Sequence, residues 1–159
     1  MVSVPGSWFL APVAWDGLTI AVSVSVTAEP SAVWEVLTRF DAYPEWSRAI
    51  SRIEGKPAPG SRLHAWLAQG TPFAREMEGQ IVDVDQPLRL VWEGGVPGVF
   101  FDRHSFEIAT NQPAGTCVTS SESFSGALAP AVVEKHRSTI EAEFCQFLVE
   151  LKHRCEEPG

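Results

Sequence analysis

Between residues 49 and 125 the chain is written as six short extended runs separated by turns, and one long helical run follows. No other feature constrains the fold as strongly. Strands joined by connections this short pair as antiparallel neighbours, because a parallel partner needs a crossover of a dozen or more residues. The runs are Ala49–Glu54, Ser61–Leu67, Phe73–Val84, Leu88–Glu93, Val99–Ala109 and Thr116–Phe124. Proline and glycine mark the breaks, at Pro57 to Gly60, Gly70 to Pro72, Pro87, Gly94 to Gly98 and Pro113 to Gly115, and Gly126 closes the last run.

A seventh strand stands apart. From Thr19 to Val26, Ile20, Val22, Val24 and Val26 alternate with Thr19, Ala21, Ser23 and Ser25, the period of a half-buried strand. Pro30 then suits the first turn of a helix reaching about Arg39, with Val33, Trp34, Leu37 and Phe40 at helical spacing. Asp41 to Trp46 reads as a second, very short helix. The final helix runs from Pro130 to about Glu156. Val133, Ile140, Phe144, Phe147, Leu148, Leu151 and Cys155 form its apolar stripe, and Glu134, Lys135, Glu141, Glu150 and Lys152 face water.

The expected fold class is α+β, a seven-stranded curved antiparallel sheet wrapped around a long C-terminal helix, with two short helices after the first strand. At about 1.5 Å per residue the helix runs some 40 Å, and no other element is long enough to cover the concave face. A curved sheet gripping one helix rarely closes completely, so the gap between them is a natural ligand cavity. The 159 residues fit one domain, taken as 17–159, preceded by an arm at 1–16. Pro5, Gly6 and Pro12 make that arm irregular, and Trp8, Phe9 or Trp15 is expected to pack onto the body.

Charge removes several function classes. The formal net charge is −8 and no basic run occurs, so a nucleic-acid partner is not expected. The chain holds no stretch of about 18 apolar residues, so integral membrane association is not expected either. Its N-terminus lacks the basic start of a signal peptide. The three cysteines, Cys117, Cys145 and Cys155, are odd in number and lack C-x-x-C spacing, which suits a reduced, cytoplasmic setting. No phosphate-binding loop, dinucleotide fingerprint or G-x-S-x-G is present, and the four histidines stand far apart, so neither a cofactor nor a metal is expected.

The polar candidates for chemistry are His104 and Glu122. Asp102, His104, Phe106 and Ile108 share one face of their strand, and Thr116, Val118, Ser120, Glu122 and Phe124 share one face of the next. Both faces are largely apolar and so concave. With the turn centred near Gln112, position 104 lies opposite 120 and diagonal to 122, which lets imidazole and carboxylate meet in the cavity. Such a pair acts as general acid and base, anchors a ligand's polar group, or satisfies itself in the core. Trp92, Phe106, Val118, Phe124, Arg137, Ile140 and Phe144 are the candidate ligand-binding residues. Leu88, Leu90 and Trp92 share a face, and Arg137 falls on the helix stripe, where it binds a ligand carboxylate or snorkels out. Of Arg75 and Glu76 on the long strand, the pattern does not say which points inward.

Several words of the sequence, in their order, resemble one superfamily. They are Ala28-Glu29-Pro30-Ser31-Ala32-Val33-Trp34-Glu35-Val36-Leu37, then Phe40-Asp41-Ala42-Tyr43-Pro44-Glu45-Trp46, Gly60 and Leu88-Arg89-Leu90-Val91-Trp92. His104-Ser105-Phe106-Glu107-Ile108, Gly115-Thr116 and Glu122-Ser123-Phe124-Ser125-Gly126 follow, before the helix ending Phe144 to Lys152. Over about residues 17–156 the chain resembles the START-related, birch-pollen-allergen-like (SRPBCC) superfamily in its polyketide cyclase/dehydrase-like branch. The resemblance implies a helix-grip fold. It does not imply one function, since that superfamily holds lipid carriers, hormone receptors, cyclases and stress proteins.

Three readings follow. The first is binding or transport of a hydrophobic small molecule, lipid-like or polyketide- and aromatic-like, between sheet and helix. The second is a polyketide cyclase- or aromatase-type enzyme with His104 and Glu122 as acid and base. In the third, the arm and exposed aromatics dock a partner or a second copy, giving a homodimer. The six Trp and nine Phe against a single Tyr exceed what a plain core needs and suit a cavity wall.

Overall fold

The computed structural model describes residues 9–10, 18–110 and 115–157, the first two as backbone only. Along the chain come β1 (Phe9–Leu10), β2 (Thr19–Val26), α1 (Pro30–Thr38), a 3₁₀ turn (Phe40–Ala42), α2 (Tyr43–Trp46), β3 (Ile50–Glu54), β4 (Arg62–Leu67), β5 (Arg75–Asp85), β6 (Arg89–Val96), β7 (Phe100–Thr110), β8 (Thr116–Ser125) and α3 (Ala129–Glu156). All strand pairs are antiparallel, and the sheet order is β1-β2-β8-β7-β6-β5-β4-β3. The expected seven strands are β2 to β8, with β2 closing onto β8. The eighth, β1, corrects the expectation that the whole arm is irregular: Phe9 pairs with Ser23 and Leu10 with Val22. The expected packing of Trp8, Phe9 and Trp15 side chains lies outside the described residues.

The β5–β6 pair is irregular and unusually close. Gly79 faces Gly94 across that pair, and the register shifts between Ile81 and Asp83. A Cβ on Gly79 would stand 2.3 Å from the Glu93 carbonyl oxygen, and one on Gly94 would stand 2.8 Å from that of Glu78. The bare backbones let the strands close to a distance that side chains would forbid.

The period-2 pattern puts Ile20, Val22, Val24 and Val26 inside, with Leu63, Ala65, Phe106, Ile108 and Val118 across from α3. Leu88 departs from its expected place: it precedes β6 and is half exposed, and only Leu90 and Trp92 of that trio are buried.

Helix α3 is 28 residues long, about 42 Å at the standard rise, and its two halves differ. Phe144, Phe147, Leu148 and Leu151 are buried in the second half, whereas the first half buries Ala129 and Val133. Glu150 accepts hydrogen bonds from the backbone N–H groups of Arg48 (2.8 Å) and Ala49 (3.0 Å), and Lys152 donates to the Ser25 carbonyl at 2.7 Å. Those two residues, expected to face water, instead bolt the second half to both sides of the sheet. The first half is anchored at its start by Ala129 and Val133, and beyond them it borders an open space.

Candidate functional site

The space under the first half of α3 is an open cleft of about 490 Å³. Its walls are mainly apolar, among them Phe73, Phe100, Phe124, Val132 and Ile140, with Glu76, His136 and Thr139 also on the lining, and its floor carries Arg75, Asp102, Glu122 and Glu143. Beneath that floor lies a smaller cavity of about 70 Å³ walled by Trp92, Phe106, Phe144 and Phe147, with His104 and Ser120 as its polar lining. Both spaces are bounded by Leu67, Arg75, Met77, Asp102, Glu122 and Glu143, so these six side chains form the partition between them. The volume of the cleft falls within the range of small-molecule sites, whereas the inner cavity has room for a few heavy atoms only. A groove of about 630 Å³ on the outer face is larger, but charged side chains such as Glu54, Arg62, Glu78 and Glu93 line it.

His104 sits against Phe106 (ring centroids 4.5 Å apart), Phe144 (5.0 Å) and Trp92 (5.2 Å). Burial among these rings pushes its pKa down to about 3, so the imidazole is neutral at physiological pH. Its Nε2 is 2.8 Å from Ser120 Oγ, and its Nδ1 is 4.0 Å from Glu122 Oε2, too long for a direct hydrogen bond.

Glu122 and Asp102 hydrogen-bond one another. Burial, and then the neighbouring Asp102, hold the Glu122 carboxyl well above the ordinary carboxylate range. Burial also raises Asp102, while the hydrogen bond from Glu122 works the other way. The pair therefore gives up its shared proton only above the ordinary carboxylate range, with Glu122 the stronger holder of it. On the opposite side, Arg75 makes a two-pronged bridge to Glu143, Nη1 to Oε1 at 2.9 Å and Nη2 to Oε2 at 2.6 Å, tying β5 to α3 across the floor.

The expectations map onto this geometry unevenly. His104, Trp92, Phe106 and Phe144 meet in the inner cavity, Phe124 and Ile140 wall the cleft, and Glu122 bounds both spaces. Val118 is fully buried in the sheet and lines neither space. Arg137 lines neither as well, and lies 3.9 Å from Glu141 one turn along α3. The expected register needs correction. His104 is directly opposite Glu122, and Phe106 faces Ser120, so the pairing is displaced by two residues from a turn centred at Gln112. His104 still bonds Ser120, its diagonal neighbour.

Sequence reasoning left three site residues without a role. Asp102 stands on the inner face named for His104, and its partnership with Glu122 spans a diagonal of the observed register. Arg75 is the inward residue of the Arg75-Glu76 pair, and Glu143 its partner from the helix. Among the described residues, no three His, Cys, Asp or Glu side chains are grouped to hold a metal ion.

Residues 18–156 match the family described as polyketide cyclase / dehydrase and lipid transport. No curated protein matches the sequence. Among solved structures, a Thermobifida fusca protein is 23% identical, with a TM-score of 0.67 over 87% of this chain and 93% of that one. A Rhodobacter sphaeroides protein has a TM-score of 0.71 at 16% identity, covering 92% of this chain and 95% of its own. The di-domain ARO/CYC StfQ of the steffimycin biosynthetic pathway has a TM-score of 0.66 at 11% identity, covering 85% of this chain and 49% of that chain. At these identities the structural likeness speaks for the fold alone.

Proposed function

Because the chain belongs to the polyketide cyclase / dehydrase and lipid transport family, we propose that it binds a hydrophobic small molecule in the cleft between the sheet and the first half of α3. One observation carries this reading: an apolar-walled opening of about 490 Å³ that ends on a small set of convergent polar groups, Arg75, Asp102, Glu122 and Glu143. Apolar walls supply affinity by removing ligand surface from water, at roughly 25 cal/mol per Å² buried. The polar floor fixes which end of the ligand enters first. Native mass spectrometry of gently purified protein, with titration by fatty alcohols and flat aromatics, tests the reading. A retained or titratable one-to-one ligand is expected, and a protein that takes up none of them overturns it.

A second reading, acid–base catalysis of the cyclase type, draws on the neutral His104 lying 4.0 Å from Glu122, whose carboxyl is held above the ordinary carboxylate range by burial. Glu122 would give a proton to a carbonyl oxygen while His104 takes one from the adjacent carbon, leaving an enol. On this reading, Glu122→Gln lowers turnover of a β-diketone by about 10²-fold, and unchanged turnover removes Glu122 from the chemistry.

A further inference from the structure

The floor of the cleft is unbalanced in both charge and hydrogen-bonding capacity. Asp102, Glu122 and Glu143 are its carboxyl groups, and Arg75 is its guanidinium. That guanidinium is already engaged along its terminal edge. Its two terminal nitrogens hold the two oxygens of Glu143, and Nη1 also donates to the Phe73 carbonyl at 3.2 Å. A carboxylate arriving through the opening would have to compete with Glu143 for the two-pronged edge of Arg75. The displaced carboxylate would then lie beside Asp102 and Glu122, a like-charge contact that solvent reaching the half-exposed Arg75 screens in part. Asp102 and Glu122 both line the cleft from diagonal positions of the β7–β8 register, and while the pair holds its shared proton it offers one O–H donor beside carboxylate acceptors. The complement of such a pair is a group that both accepts and donates, and a hydroxyl does so without charge.

Building on the proposed ligand-binding role of the cleft, we propose that Asp102, Glu122 and Glu143 act as a charge filter. They admit an apolar molecule ending in a hydroxyl, an alcohol or a phenol, and turn away the same apolar body ending in a carboxylate. The hydroxyl accepts from Glu122 and donates to Asp102, while Glu143 occupies the guanidinium that would otherwise capture an acid. Glu143 and Asp102 are thus specificity-determining residues, the first by holding Arg75 and the second by accepting the ligand's hydroxyl proton.

Calorimetric titration with 1-decanol, decanoate and decylamine at neutral pH tests the filter. These probes share one chain and differ at the end that meets the floor. On the unmodified protein, 1-decanol binds tighter than decanoate by about tenfold or more. Glu143→Gln releases Arg75, so decanoate affinity rises by about tenfold relative to that of 1-decanol. Asp102→Asn, a second variant that leaves the α3–β5 bridge intact, narrows the gap between alcohol and acid. Circular dichroism establishes that each variant is folded. Decanoate binding the unmodified protein as tightly as 1-decanol overturns the filter alone. So does decylamine as the tightest of the three, or a preference that neither variant alters. Binding of none of the probes overturns both the filter and the ligand-binding role of the cleft.

Discussion

At the scale of single residues, the site is a set of titratable groups moved from their usual protonation by burial. His104 ordinarily titrates near 6.5 and is pushed down to about 3 in the fold. The unfolded chain therefore takes up a proton between those values that the folded protein refuses. Stability from this residue is present above 6.5 and is lost as pH falls through the window, at about 1.4 kcal/mol per pH unit at most. Glu122 acts with the opposite sign. Its folded value is raised, so the folded state holds a proton that the unfolded chain has released, and stability declines as pH rises above the ordinary carboxylate range. Urea unfolding across pH checks both. His104→Phe, which keeps the ring contacts with Phe106 and Phe144, flattens the acid side of the profile; Glu122→Gln flattens the decline above it. Profiles parallel to that of the unmodified protein would contradict these protonation states. The two candidates were legible because period 2 puts His104 and Glu122 on inner faces. Asp102 shares the His104 face, yet its partnership depends on a register that a two-residue change in the hairpin rewrites.

Among the elements, α3 decides where the opening lies. Its second half buries Phe144, Phe147, Leu148 and Leu151 and is bolted to the sheet by Glu150 and Lys152, while its first half crosses the cleft with Val132, Thr139 and Ile140 facing the space. Filling that space should remove ligand binding without loosening the bolted half. Ile140→Trp is expected to abolish uptake of 1-decanol, with the unfolding midpoint held to within about 1 kcal/mol of the unmodified protein. Undiminished uptake would move the binding site elsewhere. The strand runs and the long helix were readable from periodicity and turn residues. The division of labour within α3 was not, since Glu150 and Lys152 look like surface charges until the backbone groups of Arg48, Ala49 and Ser25 are brought beside them. The inward turn of Arg75 was hidden for a similar reason. On β5, Arg75, Met77 and Gly79 alternate with Glu76, Glu78 and Gln80, and neither set is clearly apolar. Only the pairing of β5 with β4, Leu67 opposite Arg75 and Ala65 opposite Met77, fixes the face.

At the scale of the whole molecule, a curved sheet and a single helix leave a deep apolar recess that a small molecule can fill. The aromatic residues divide between walls and packing: Trp92, Phe106, Phe144 and Phe147 surround the inner cavity and Phe73, Phe100 and Phe124 the cleft, whereas Trp34, Phe40, Trp46 and Trp66 line neither. Among the described residues, no helix is long and apolar enough to cross a membrane. Family and fold were legible because the strand order and several short words carry them over most of the chain. The ligand was not, because the same fold sets different side chains on its floor and those contacts are made across strands. The central claim, that the cleft under the first half of α3 is the binding site, is tested most directly by amide and side-chain NMR shifts during titration with 1-decanol. The account predicts saturable shifts at Arg75 and Met77 on β5, at Phe124 on β8 and at Val132 to Glu143 on α3. Shifts confined to the outer groove, at Arg62, His64 and Glu93, or none at saturation, would contradict it.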